Sequence, residues 1–177
     1  MTQSTSQTTP IEGALNKPER ELLEAFLDQY RDELVRTLHG LTEEQARIRL
    51  VPSLTTPISL VKHAAAVERA WFQKSLAGRS ADEIDGGSDG SDVSFLLDDS
   101  DTVASVIAEF RAAGAESRRI AAAYSLDDQA LHNRRGPLTV RWIYVHMIEE
   151  LACHTGHGEI LREQIDAGVT PGLDATA

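Results

Sequence analysis

Three side chains from two distant stretches carry the chemistry that this sequence offers. In RWIYVHMIEELACHTGHGEILREQI, Glu150 and His154 are four residues apart. On a helix that spacing places them on one face, about one turn from each other. A carboxylate and an imidazole so placed can each give a lone pair to the same divalent metal, the spacing used by the paired ligands of H-E-x-x-H. Two ligands on one helix do not complete a site. The segment SLVKHAAAVERAWF supplies a third, His63, beside Ala64, Ala65 and Ala66, whose small side chains let a neighbouring helix approach. Two histidines and one carboxylate leave a coordination position open to water or substrate, which is the pattern of a catalytic ion. Such a donor set suits zinc first, with nickel, iron or manganese as alternatives. The competing reading is an exposed i,i+4 contact between Glu150 and His154, with His63 a core imidazole.

The remaining candidates are read from their positions around this set. His157, three residues beyond His154, is expected to act as a partner behind the ligands or as a general base. His146, one turn before Glu150, is expected to be a satisfied core histidine, and His39 and His132 to be solvated. Cys153 points about 100° away from His154 around a helix, and a buried, inert thiol is expected there. No Ser-His-Asp arrangement, G-x-S-x-G elbow, Walker loop or G-x-G-x-x-G occurs, so hydrolase and nucleotide readings have no support.

Four helical segments must position these residues. The first runs from about Lys17 to His39, with Asn16 as its expected N-cap and Gly40 as its stop. The second starts after Thr56-Pro57 and reaches about Leu76, turning Leu60, His63, Ala64, Val67 and Trp71 inward. The third spans about Thr102 to Tyr124, with Asp99 and Asp101 at its positive end. The fourth, about Thr139 to Ala167, carries the stripe Val140, Tyr144, Met147, Leu151, Leu161 and Ile165, which the Glu150/His154 pair interrupts midway. Strand signals are nearly absent, so the fold class is all-α, a four-helix bundle. The connection from Ala77 to Asp101 is long enough for a crossover or a lid. Its Asp85, Asp89 and Asp92 lack the rhythm of a calcium loop. It reads as a solvated loop anchored by Phe95-Leu96-Leu97. Residues 1–15 read as a disordered tail, 16–168 as one metal-binding domain and 169–177 as a second flexible tail.

Composition narrows the partners. The 177 residues carry 17 Lys and Arg against 28 Asp and Glu, a formal charge of −11. Such a surface repels phosphate backbones and anionic lipid, which argues against nucleic acid and membrane partners. The single cysteine excludes an intrachain disulfide and any multi-cysteine metal site. No apolar run is long enough to span a bilayer, and MTQSTSQTTP lacks the features of a signal peptide, so a cytoplasmic location is expected.

The segments SLVKHAAAVERAWF and LTVRWIYVHMIEELACHTGHGEILREQIDAG resemble the second and fourth helices of the DinB-like superfamily. More narrowly, they are similar to its actinobacterial branch related to mycothiol-dependent maleylpyruvate isomerase. The likeness covers about Pro18 to Gly168. It implies an antiparallel four-helix bundle with one long crossover, a homodimer, and a divalent metal on one histidine of the second helix and two ligands of the fourth. Carried over, the ligands are His63, Glu150 and His154; Glu150 stands where many relatives have histidine, as in the isomerase branch. The isomerase has a further C-terminal domain at its active site, so an electrophile other than maleylpyruvate is expected here. The implied activity is metal-dependent transfer or isomerisation with a low-molecular-weight thiol of the mycothiol type. The alternative is a non-catalytic, stress-related binding or dimerisation module with a structural or vestigial metal site.

Overall fold

The computed structural model describes residues 9–169; the rest of the two expected tails, 1–8 and 170–177, lies outside the described residues. Helix dominates, and the only strands among the described residues are β1 (Gln129–Ala130) and β2 (Leu138–Thr139), paired antiparallel. The all-α expectation holds.

Within the stretch expected as an N-terminal tail the chain forms a short helix. There Thr9 and Glu12 form a reciprocal capping box that starts α1 (Pro10–Gly13), and Ala14 behind it is buried. Helix α2 (Glu19–Arg36) begins after Pro18, which occupies the capping position without a side-chain bond, so the expected Asn16 cap is not used. Its Leu27, Leu34 and Val35 enter the core. Gly40, at φ +78°, takes the left-handed conformation that ends this segment. A single turn, α3 (Glu43–Ala46), follows.

Helix α4 (Pro57–Glu68) starts at a Thr56/Ser59 capping box and continues as a π-helical segment over Arg69–Leu76. Long π segments are rare and concentrate at functional sites. Leu60, His63, Ala64 and Val67 are buried as expected, whereas Trp71 is only partly so. Helix α5 (Val103–Ala121) is capped by Thr102 with Ser105, and the Glu43 carboxylate accepts from the Val103 N–H. Asp101 stands directly before the Thr102 cap, at the positive end of α5, and also takes Lys62 at 2.6 Å and the Asp98 N–H. Helix α6 (Val140–Asp166) starts at Thr139 and is followed by Gly168 at φ +73°.

Helix α2 packs along α6, and α4 along α5, with α4 also touching α6. Phe72, Phe110, Leu60, Ile143, Met147 and Leu151 are among the fully buried side chains between them. One buried ion pair crosses this interior: Arg31 donates to both oxygens of the fully buried Glu68, at 2.6 and 2.9 Å. Between α4 and α5 the chain makes two 3₁₀ turns, Ala81–Glu83 and Asp92–Phe95. Within the expected anchor, Phe95 and Leu97 pack inward while Leu96 is exposed, because the backbone turns at Leu96 from 3₁₀ to extended.

Candidate metal centre

The α4–α6 contact brings the three predicted ligands together. His63 Nε2 and His154 Nε2 each lie 3.1 Å from the same oxygen, Oε1 of Glu150. Among the described residues this is the one group of three or more potential ligands, with donor atoms all within 4.8 Å of one another. Ligands held about 2.0–2.1 Å from one ion sit about 2.9 Å apart in octahedral and about 3.4 Å apart in tetrahedral geometry. The observed 3.1 Å falls between these values. Three electron-rich atoms on one point repel unless a proton or metal ion lies between them, so the donor set fits a divalent cation.

The surroundings fix how the imidazoles face. The Ser94 hydroxyl donates to the Ser91 carbonyl at 2.6 Å and lies 2.7 Å from His63 Nδ1. Its one hydrogen is spent on Ser91, so it accepts from the His63 Nδ1–H and leaves Nε2 turned toward Glu150. Phe95 stacks on the His63 ring, with centroids 4.1 Å apart and planes 17° from parallel. The 3₁₀ turn Asp92–Phe95 thus supplies both the orienting hydroxyl and the apolar cover. His154 Nδ1 is buried without a hydrogen-bond partner among the described residues, so Nε2 is its only engaged nitrogen. When protons rather than an ion occupy the space between them, hydrogen bonds from His154 foremost and His63 next hold the Glu150 carboxyl well below the usual carboxylate range despite the opposing effect of burial.

Residues 22–167 match the family described as mycothiol-S-transferase, within the DinB-like, mycothiol-related actinobacterial group. The chain belongs to the mycothiol-S-transferase family. No curated protein matches it.

In this family member Glu150 and His154 do not interrupt the core stripe of α6. That stripe continues unbroken through Leu151, Thr155, Gly158 and Leu161, all buried. Glu150 and His154 flank it, with side chains 23% and 15% exposed, facing α4 and the 3₁₀ turn. A cavity of about 480 Å³ reaches Glu150 and is walled by Val67, Trp71, Lys74, the 88–91 loop, Asn133 to Arg135 and His146. His146 therefore lines this cavity instead of filling the core. It stacks on Trp142 with ring centroids 4.9 Å apart and meets the Trp71 ring edge-on. One turn before Glu150 on the same face, it shares that residue's outlook.

His157 is exposed, its ring 5.6 Å from that of His154, and it lines a separate groove with Val51, Thr55 and Ile160. Cys153 is exposed, contrary to the buried thiol expected, with Sγ 3.9 Å from His157 Nε2. Its position on α6 falls opposite the core stripe, where nothing covers it. His39 and His132 are exposed. Sequence reasoning missed Ser94, whose role depends on a turn 31 residues from His63 in the chain.

Proposed function

We propose that this protein is a divalent-metal-dependent transferase that joins a low-molecular-weight thiol of the mycothiol type to an electrophile. The observation that carries the reading is the convergence of His63 Nε2 and His154 Nε2 on one Glu150 oxygen, at 3.1 Å each. The family match supports the thiol as donor. The scaffold fits the antiparallel four-helix bundle with one long crossover of the DinB-like type, acting in the cytoplasm, with a homodimer as its assembly. No helix among the described residues is long and apolar enough to cross a membrane.

His63, Glu150 and His154 would hold the ion, zinc first among the candidates. When bound, it would supply Lewis acidity that lowers the pKa of a thiol presented to it. The chain's own residues do the rest. Ser94 holds the His63 tautomer, and Phe95 keeps water from one face of that ring. The cavity beside Glu150 receives the reactants. In the reaction the S–H bond breaks and an S–C bond forms at the electrophilic carbon. With an activated alkene, the sulfur's proton finishes on the neighbouring carbon; with an aryl halide, the C–halogen bond breaks, halide leaves with the bonding pair and the proton passes to solvent. Neither route needs an oxidant or a reductant. His157, outside the cavity but with its ring 5.6 Å from that of His154, is the proposed proton carrier acting from behind the triad, and His146 on the cavity wall is the competing candidate.

The test is elemental analysis of untagged protein after zinc or nickel supplementation, paired with a thiol-dependent transfer assay using a chromogenic aryl halide. About one equivalent of metal per chain is expected, lost in His63→Ala, together with turnover that requires added mycothiol. Less than about a tenth of an equivalent would defeat the metal site. Stoichiometric metal with turnover indifferent to thiol would favour the non-catalytic module, and a steep fall in melting temperature on chelation would mark the ion as structural.

A further inference from the structure

The cavity beside Glu150 has an electrostatic character that transfer of a thiol to a neutral electrophile does not require. Lys74, Arg134 and Arg135 all line it. Among the described residues, none of the three makes an ion pair or donates a side-chain hydrogen bond, although this chain carries 11 more acidic than basic groups. Arg20, Arg31, Lys62, Arg69, Arg79 and Arg141 all have carboxylate partners. Two carboxylates share the cavity wall: Asp89 accepts from the Ser91 N–H and feels the Lys74 charge without closing an ion pair with it, and Glu150 faces the two imidazoles, so three cations meet one carboxylate not engaged by the triad.

Two elements bring the cations to this cavity, the α4 extension for Lys74 and the 133–135 stretch for Arg134 and Arg135. The π-helical segment of α4 presents Trp71 and Lys74 on the same wall. The Arg135 guanidinium rests 5.3 Å from the Trp71 ring centre and 5.4 Å from that of Trp142, whose own centres are 5.2 Å apart, so it lies against one side of the tryptophan pair in cation–π contact that leaves its N–H donors free. Guanidinium groups so held are matched to carboxylates and similar oxyanions. We propose that this cavity selects an electrophile bearing a carboxylate or comparable oxyanion, held by Lys74, Arg134 and Arg135 beside the triad. The assignment as co-substrate rests on the transferase reading; the anion site itself does not.

The chain has two tryptophans, Trp71 and Trp142, in contact with each other at this cavity, so intrinsic fluorescence reports its occupancy directly. Full-length protein is titrated with benzoate and with its neutral isostere benzamide. Benzoate is expected to change the emission saturably, and benzamide to bind at least about tenfold more weakly, with the difference shrinking as salt rises. Lys74→Ala and Arg134→Ala should each weaken benzoate about three- to fivefold and leave benzamide unchanged. His63→Ala should keep benzoate binding, which separates the cations from any metal. Equal affinity for the two probes, no binding of either, no effect of the substitutions, or loss of benzoate binding in His63→Ala would each overturn the proposal. Benzoate binding in a protein that takes up no metal would sink the transferase reading and leave the anion site standing. In turnover, the two alanine variants should raise KM for a carboxylate-bearing aryl halide and not for its amide; an equal rise for both would mean that the cations serve the thiol instead.

Discussion

Replacing Ser94 by Ala isolates the orientation of one ligand. The hydroxyl lies 2.7 Å from His63 Nδ1 and gives its own hydrogen to the Ser91 carbonyl, so it acts as an acceptor that keeps the His63 proton away from the ligand nitrogen. Without it, His63 can tautomerise and rotate, and its Nδ1–H loses its partner. Removing a partner of this kind typically costs about 10–100-fold in metal affinity, or about 1.4–2.7 kcal/mol. Ser94 is only half-buried and sits on a 3₁₀ turn outside the helices, so the fold should hardly notice. A lost hydrogen bond of about 1 kcal/mol would lower the melting temperature of metal-free protein by about 2–4 °C. Competition with a chromogenic chelator measures the affinity, and scanning calorimetry of the stripped protein measures the fold. Unchanged zinc affinity in Ser94→Ala, or a loss fully matched by destabilisation of the stripped protein, would refute the orienting role.

The buried pair gives a test that leaves the site alone. Arg31→Ala strands the Glu68 carboxylate in the core and should cost about 3–5 kcal/mol in urea unfolding, whereas replacing both partners by leucine should cost less. The contact with Arg119, opposed by burial and reinforced by Arg79, pulls Glu116 from 4.5 down to about 2. A lowered folded-state value means stability that is fully present above about pH 4.5 and lost as pH falls toward 2. Glu116→Gln should accordingly flatten that part of the acid-unfolding curve and leave the neutral region to reflect only the lost contacts. Among the imidazoles, His154→Ala should abolish metal uptake, while His157→Ala and His146→Ala should retain it. Whichever of the latter two flattens the pH–rate profile carries the proton.

The sequence is a good guide wherever a local rule decides the outcome. The Thr56-Pro57 start and the stop near Gly168 follow from backbone groups that only caps, proline and glycine can satisfy, and those are short-range facts. At Asn16 the same rules point to a cap, yet Pro18 takes the capping position, and within the expected tail the reciprocal bonds of Thr9 and Glu12 start a helical turn. The candidate triad is also legible, because i,i+4 spacing on α6 and a histidine among alanines on α4 are each visible without knowing how the helices meet. What periodicity could not resolve was which side of a stripe faces the core. Glu150 and His154 were read as interrupting it, His146 as lying within it and Cys153 as covered, whereas the rotation of α6 against α2 and α4 places the first three on its flank and the thiol outside.

Local sequence set the helices, their ends and the residue types able to bind a cation, since these depend on groups only a few positions apart. Tertiary packing alone decided that Ser94 and Phe95 fold back over His63, that Lys74, Arg134 and Arg135 surround one cavity, and that Arg31 reaches Glu68. Those neighbours lie far apart along the chain, and they meet only because burying the apolar faces of four helices fixes where every loop between them must run.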